Sequence, residues 1–224
     1  MHHVFVLDKF ILIAMERCEL DLYYLKMNFD LTEEVIEVII GVISLALNYL
    51  HYKLEVVHYD LKIENVLLTK NGIIKICDFG MSRRPGINDE NITTSFFSKP
   101  PELTYYNTAI DYSFDSWGLG MIIFFICCDF TPEYKIDYNN FIEIPSSCFI
   151  QLFRNNTKYP NLTCDIEYLL GRLLITEKRL ESEDSTDLLG VYVIQKCVQK
   201  IGAYENKNLT IEERFSKKMY LLLY

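Results

Sequence analysis

Short apolar runs occur in pairs at two places along the chain, and each pair predicts two adjacent strands. The first pair, Val4 to Leu7 and Phe10 to Met15, flanks a polar dipeptide and predicts two strands joined by a tight turn. The second pair, Val66 to Leu68 and Ile73 to Ile76, flanks a segment that contains Asn-Gly, the strongest short hairpin signal. We therefore expect a short sheet at the start of the chain and a hairpin further on.

Longer apolar patterns predict helices. Apolar residues recur at helical spacing from Val35 to Tyr49, behind two acidic residues and a capping residue at Asp30 or Thr32. This pattern predicts a helix that ends near His51. From Phe114 to Cys128 the chain is apolar all round, which predicts a helix buried on every side.

Length and charge limit the class of protein. The chain has 224 residues, of which 50% are hydrophobic, and this is enough to bury the core of one domain. The net charge of -9, from 31 acidic and 22 basic residues, leaves no basic surface of the kind that tracks nucleic acid. The longest apolar run, Leu119 to Cys128, is about half the roughly 20 residues that cross a bilayer. We expect neither a nucleic-acid partner nor a membrane span.

The cysteines indicate the compartment. The chain has seven cysteines, an odd set with no Cys-x-x-Cys, which argues against a disulfide framework and against a zinc site. The first residues carry no basic region ahead of an apolar core, so they do not read as a signal peptide. We expect an intracellular protein of the cytoplasm or nucleus, or of the host cell cytoplasm if the chain is viral.

One cluster of residues carries recognisable chemistry. The segment His58-Tyr59-Asp60-Leu61-Lys62 leads to Asn65, and Asp78-Phe79-Gly80 starts 18 residues after Asp60, beyond the hairpin. The first segment resembles the catalytic loop of protein kinases, His-Arg-Asp-Leu-Lys-x-x-Asn, with Tyr59 in place of the arginine. The second is similar to the metal-binding triplet of that family. Two such motifs in this order are far more specific than either alone.

The resemblance extends beyond this cluster to roughly residues 4 to 190. Pro100-Pro101-Glu102 looks like the triplet that closes the activation segment, and Arg179 occupies the place of the arginine that pairs with this glutamate. Asp115 opens a segment that looks like the family's central buried helix. The family uses the histidine at position 58 to hold the catalytic loop, so His58, Glu102, Asp115 and Arg179 are expected to support the structure.

The resemblance also implies a fold and a domain division. We expect an α+β, protein-kinase-like fold with a mainly helical large lobe and a remnant of the small β lobe. Residues 1-18 would form the remnant of the small lobe and the hinge, and residues 19-201 the large lobe. Residues 202-224 would form a C-terminal tail.

By the same resemblance, the chain would bind ATP and Mg2+ and transfer phosphate to a protein hydroxyl. Asp60 would orient the proton of the substrate hydroxyl, and Lys62 would contact the γ-phosphate. Asn65 and Asp78 would supply the oxygen ligands that Mg2+ prefers. Phosphoryl transfer needs mainly positioning and charge neutralisation, and these residue types suit that task.

The start of the chain looks like the strand that leads to the hinge beside adenine. Met15 would be the gatekeeper, and backbone groups of Glu16 and Cys18 would face the base. Asp21 would lie near the ribose, and Leu67 would form the floor under the base.

The polar stretch from Met81 to Pro101 has no periodicity and reads as a long loop. It contains hydroxyl residues of an activation loop, namely Thr93, Thr94, Ser95 and Ser98. Together with Ser95, the lysine at position 62 resembles the Ser/Thr-specific branch of the family. Tyr59 replaces the arginine that receives a loop phosphate, so we expect less dependence on loop phosphorylation than is usual.

The sequence departs from the family pattern ahead of the hinge. No Gly-x-Gly-x-x-Gly occurs in the chain, and no lysine-bearing strand like the family's Val-Ala-Ile-Lys precedes Met15. In the family, the Gly-rich loop lies over the phosphates of ATP. Without this loop and this lysine, the transition state of phosphate transfer is less stabilised, so the chain alone is expected to be a slow or inactive kinase. Two interpretations follow. In the first, the chain is a fragment of a kinase or a kinase completed by another polypeptide. In the second, it is a noncatalytic module that binds other kinases or their partners.

Overall fold

The computed structural model describes residues 3–87, 99–100, 111–128, 146–174 and 192–205 of the 224-residue chain. In these ranges the strands form two antiparallel sheets, and most other residues lie in helices. The strands are β1 His3–Val6, β2 Ile11–Ala14, β3 Leu20–Asp21, β4 Val66–Leu68 and β5 Ile74–Ile76. The helices are α1 Leu22–Asn28, α2 Glu33–Lys53, α3 Ser113–Cys127, α4 Ser146–Asn156, α5 Thr163–Leu174 and α6 Tyr192–Glu205.

The predicted strand pair at the start of the chain is confirmed. β1 and β2 pair antiparallel with Val4 opposite Ile13, and Leu7 N–H donates to the Phe10 carbonyl at 2.8 Å to close the turn. Both faces of this hairpin are apolar, yet its side chains are exposed, from 47% for Val4 to 77% for Val6. The described part of the chain therefore leaves the hairpin uncovered on both sides.

The hairpin around Asn-Gly is also confirmed, and it belongs to a three-stranded sheet of order β3-β4-β5. Gly72 adopts a φ of 75°, a left-handed conformation that glycine reaches without a steric cost. Ile73 lies in the turn rather than in the strand, because its N–H and carbonyl both hydrogen-bond to Thr69. Val66 and Leu68 are buried, so this sheet lies against the helical core.

The long predicted helix is α2, and it ends two residues beyond His51, at Lys53. Its cap is Thr32, whose hydroxyl accepts from Val35 N–H at 3.4 Å, and not Asp30. By length and composition α2 could cross a membrane, but 61% of its most apolar window is buried inside the protein. It therefore has the character of a core helix.

The predicted buried helix is α3, and all its side chains except Ser113 and Phe125 are buried. It packs against α2 and α5, while α6 lies along α2. Trp117 is 4% exposed and meets Phe149 of α4 edge to face, so this tryptophan packs in the core. The core thus surrounds α3, whose first turn points to the segment that contains the sequence motif.

Candidate active site

A single buried carboxylate, that of Asp115 at the start of α3, holds the loop that follows α2. Its Oδ2 accepts from His58 N–H at 2.8 Å, and its Oδ1 accepts from Tyr59 N–H at 3.0 Å. His51, near the end of α2, bonds through Nε2 to Oδ2 at 2.7 Å. Because Asp115 is 0% exposed, these three partners replace the water that it loses on burial. The helix α3 thereby fixes the position of the loop.

Sequence reasoning identified Asp115 as a supporting residue but missed His51. The available signal was a histidine two residues from the end of a largely apolar helix, where a buried imidazole needs a polar partner. That signal does not name the partner, which lies 64 residues further along the chain.

Tyr59 occupies the place of the family's arginine, and its side chain is buried. It is 1% exposed, and its ring stacks on Phe114 with centroids 4.9 Å apart. Val57 belongs to the same small apolar cluster, and Met81 packs against it. The backbone of Tyr59 has a φ of 72°, which costs free energy in any residue with a Cβ, and the bond from its N–H to Asp115 holds it there.

His58 connects the catalytic-loop motif to the second motif. Asp60 N–H donates to His58 Nδ1 at 3.3 Å, so that nitrogen carries a lone pair. The ring proton then lies on Nε2, which donates to the carbonyl of Cys77 at 2.9 Å. Since Cys77 directly precedes Asp78, one neutral imidazole ties Asp60 to the backbone ahead of Asp78. These two hydrogen bonds connect the two motifs through the His58 side chain.

Asp60, Lys62 and Asn65 form one hydrogen-bonded cluster. Lys62 Nζ lies 2.9 Å from Asp60 Oδ2, and Asn65 Nδ2 donates to the Asp60 carbonyl at 2.8 Å and to Oδ2 at 3.3 Å. Asp60 and Asn65 are each 6% exposed, whereas the Lys62 side chain is 23% exposed. Because the Asn65 amide directs its N–H groups to Asp60, its Oδ1 is the end that can bind a cation.

The hairpin brings Asp78 back to this cluster. Cys77 N–H donates to the Asn65 carbonyl at 2.9 Å, so the residue before Asp78 is tied to the end of the catalytic loop. Asp78 has a φ of 61°, and its Oδ1 accepts from Gly80 N–H at 3.4 Å. The Asp78 carboxylate and the Asn65 amide oxygen are donors of the type that fits a hard cation such as Mg2+ and not a soft one. The described residues contain no group of three or more His, Cys, Asp or Glu side chains that could hold a metal.

Three of the predicted nucleotide-binding residues lie near the sheet β3-β4-β5. Asp21 and Leu67 are register partners on adjacent strands, and Cys18 precedes β3. Burial raises the pKa of the Cys18 thiol and also that of Cys77. The carboxylate of Asp21 has a further role that the sequence did not suggest: it caps α1 by accepting from Tyr24 N–H at 2.6 Å. Its proximity to a ribose stays a prediction.

The other two predicted nucleotide-binding residues, Met15 and Glu16, precede the sheet β3-β4-β5 in the chain. Met15 follows β2 and is 67% exposed, while the Glu16 side chain makes a 2.7 Å ion pair with Lys75 of β5. This ion pair connects the segment after the first hairpin to the second hairpin. The remaining predicted site residues, Glu102, Arg179, Thr93, Thr94, Ser95 and Ser98, lie outside the described residues.

Comparison with solved structures identifies the class of fold. A chain in the crystal structure of the yeast RNA Pol II CTD kinase CTDK-1 complex matches this chain with a TM-score of 0.58 and 21% sequence identity. The match covers 83% of this chain and 72% of that one, which confirms the α+β, protein-kinase-like fold.

The family follows from sequence. The family model described as protein kinase domain matches residues 1–208, so this chain belongs to the protein kinase domain family. Protein kinase kin1 of Schizosaccharomyces pombe is 35% identical over 138 residues, which cover 60% of this chain and 15% of that protein. Serine/threonine-protein kinase akt-1 of Caenorhabditis elegans is 32% identical over 141 residues, 60% of this chain and 24% of that protein. RAC-beta serine/threonine-protein kinase of Rattus norvegicus is 38% identical over 106 residues, which cover 44% of this chain and 21% of that protein. The chain thus spans about a quarter or less of these relatives.

Proposed function

We propose that the chain is a protein kinase that transfers the γ-phosphate of ATP to a Ser or Thr hydroxyl of a protein substrate. The observation that carries this proposal is the hydrogen-bonded cluster of Asp60, Lys62 and Asn65, tied through His58 to the backbone beside Asp78. Protein kinases in general use ATP and Mg2+, and the oxygen donors of the cluster suit that cation.

Each residue of the cluster has a distinct task in this proposal. When bound, ATP would supply the phosphoryl group and Mg2+ the positive charge that neutralises it. Asp60 would accept or orient the proton of the substrate hydroxyl, and Lys62, held 2.9 Å from Asp60, would bring positive charge to the γ-phosphate. Asn65 through Oδ1 and Asp78 through its carboxylate would hold the cation.

Specificity for Ser and Thr is the finer part of the proposal. It is supported by Lys62 two residues after Asp60 and by the names of two relatives, akt-1 and RAC-beta serine/threonine-protein kinase. An intracellular location, in the cytoplasm, the nucleus or the cytoplasm of a host cell, belongs to the same proposal. The odd number of cysteines in the sequence, with no Cys-x-x-Cys, is compatible with that compartment.

A second candidate function is a noncatalytic module that binds and regulates other kinases or their partners. The observation that favours it is the hairpin β1-β2, whose apolar side chains are exposed on both faces. The proposed kinase requires both nucleotide binding and phosphate transfer, whereas the noncatalytic module requires neither.

Thermal unfolding with and without ATP and Mg2+ separates these candidates. A ligand at about 100 times its Kd stabilises the folded state by about 2.7 kcal/mol, so the proposal predicts a higher melting temperature. Asp78→Ala should abolish the rise, and Glu167→Ala, which breaks an ion pair of α5 with Arg154 outside the proposed site, should keep it. The absence of any rise at millimolar ATP would favour the noncatalytic module.

Phosphate transfer is tested separately from nucleotide binding. The proposal predicts slow transfer from ATP to Ser or Thr of a generic basic protein, and its loss in Asp60→Ala. Nucleotide binding without any transfer, in a preparation where Asp78→Ala still abolishes binding, would contradict the enzymatic proposal and leave a pseudokinase.

A further inference from the structure

The segment that follows Asp78-Phe79-Gly80 is hydrogen-bonded to residues 57 and 58. Val57 N–H donates to the Arg83 carbonyl at 2.8 Å, and Arg83 N–H donates to the Val57 carbonyl at 3.0 Å. The Ser82 hydroxyl donates to the His58 carbonyl at 3.2 Å. Three hydrogen bonds therefore attach this segment to two successive residues of the loop that follows α2.

An apolar cluster supports this attachment. Tyr59 stacks on Phe114 of α3, and these two side chains and that of Val57 are at most 3% exposed. Met81 of the attached segment packs against these three side chains, and so does Tyr112. These five residues are called here the Tyr59 cluster. The cluster joins the attached segment by apolar contact to both the loop and the central helix.

The members of the Tyr59 cluster are all uncharged. Burying an aromatic ring against a second ring and a thioether is favourable without any polar partner for the ring faces. A charged side chain at position 59 would lose its hydration in this cluster and would need an anion beside it to be stable. Because Tyr59 carries no charge, its contact with the attached segment does not depend on an anion.

The backbone on both sides of Asp78 is thus held in place. On one side, Cys77 N–H donates to the Asn65 carbonyl at 2.9 Å, and the Cys77 carbonyl accepts from His58 Nε2 at 2.9 Å. On the other side, the three hydrogen bonds and the Tyr59 cluster hold the attached segment. Asp78 lies between them with a φ of 61°, a conformation that persists only where the surrounding structure enforces it. Loosening either side should therefore let Asp78 move.

We propose that Tyr59 is a positioning residue: through Phe114 and Met81 it fixes the attached segment, so that Asp78 stays beside Asn65 without an anion such as a loop phosphate. The proposal rests on the proposed kinase function, in which Asp78 and Asn65 hold the cation. The cation site would then be assembled in the unphosphorylated chain.

Hydrogen exchange followed by mass spectrometry tests the attachment without any ligand. In the phosphatase-treated chain, Met81→Ser should make the amides of Phe79–Ile87 exchange several-fold faster, because the variant removes the apolar contact of the segment. Met27→Ser, at a 62% exposed methionine of α1, is the matched control and should leave this exchange unchanged. The amides of β4 and β5 should exchange alike in all three proteins. Unchanged exchange of Phe79–Ile87 in Met81→Ser would overturn the proposal.

Nucleotide affinity shows whether the attachment positions Asp78. Tyr59→Phe keeps the stacked ring, whereas Tyr59→Arg places a charge in the apolar cluster. The rise in melting temperature with increasing ATP and Mg2+ gives an apparent Kd for each phosphatase-treated protein. We expect the Kd of the wild-type chain in Tyr59→Phe, and a several-fold higher Kd in Tyr59→Arg and Met81→Ser. Equal affinities in all four proteins would overturn the positioning role and leave the kinase function intact.

The positioning role and the kinase function fail in different ways. If the melting temperature of the wild-type chain does not rise with ATP at all, the proposed function is contradicted, and the exchange of Phe79–Ile87 still decides whether the Tyr59 cluster holds the segment. A rise that appears in the wild-type chain only after its phosphorylation would overturn the positioning role alone.

Discussion

At the scale of single residues, Asp115 has an unusually large share in positioning the site. It is fully buried, and it joins α2, through His51, to the backbone of His58 and Tyr59. The backbone donors and the imidazole need an acceptor because none of them can reach water. The position of Asp60, the next residue along, therefore depends on a carboxylate 55 residues away.

Replacing this carboxylate should be costly. In Asp115→Asn, one of the two carboxylate oxygens is replaced by an NH2 group, which faces groups that are themselves donors. We therefore expect a loss of about 3–5 kcal/mol in the free energy of unfolding. Urea unfolding measures this loss. The matched control is Glu167→Gln, which breaks an ion pair to the 61% exposed Arg154 and should cost less than about 1 kcal/mol. Equal losses in the two variants would contradict the role assigned to Asp115.

Residues with chemistry in a recognisable motif could be predicted from the sequence, whereas residues that act through tertiary contacts could not. Asp60, Lys62 and Asn65 were predicted as a group, and the structure brings these three together. His51 and the capping bond of Asp21 were missed, because each depends on a partner that no local pattern specifies. The roles of the predicted nucleotide-binding residues remain predictions.

At the scale of elements, the central helix α3 touches the loop that contains Asp60 through a glycine. A Cβ on Gly118 would lie 2.6 Å from the carbonyl oxygen of Leu61 and 2.9 Å from its Cβ. Leu61 stands between Asp60 and Lys62, so any shift that relieves the clash moves one of the groups of the site. The helix can approach the loop this closely only because position 118 lacks a side chain.

Two glycine substitutions in helices should therefore have opposite effects. Gly118→Ala should lower the free energy of unfolding by about 1–3 kcal/mol, because overpacking forces the loop or α3 to move. Gly171→Ala, in α5, meets no atom within 4 Å and should raise it by up to about 1 kcal/mol through helix propensity. Thermal melts of the two variants measure this difference. A stabilising Gly118→Ala would show that the loop is not held as tightly as the contact implies.

Elements with a clear period or a strong turn signal were predictable, and the others were not. The helices α2 and α3 and both hairpins follow from apolar spacing and from Asn71-Gly72, with ends that differ by one or two residues. Strand β3 has only two residues, too few to show a period, and its partner β4 lies more than 40 residues further on. The pairing of α6 with α2 is a tertiary contact, for which Gly41 is the one local signal.

At the scale of the whole molecule, the two hairpins differ in what supports them. The hairpin β4-β5 belongs to a three-stranded sheet and buries Val66 and Leu68 against the helical core. The hairpin β1-β2 is a two-stranded sheet with both apolar faces exposed, and an isolated pair of this kind is at best marginally stable in water. Local stability should therefore fall from the core toward the start of the chain.

Hydrogen exchange followed by mass spectrometry measures this difference directly, because peptides from the two hairpins report on elements of similar length and the same antiparallel pairing. We expect the amides of His3–Ala14 to exchange well before those of Val66–Ile76, since the first hairpin can open without exposing the core. The second hairpin serves as the matched control within the same sample. Equal protection of both hairpins would mean that the exposed faces of β1-β2 are covered in solution. If that protection were lost on dilution, the cover would be a second copy of the chain, and the first hairpin would be an interface rather than an unsupported edge.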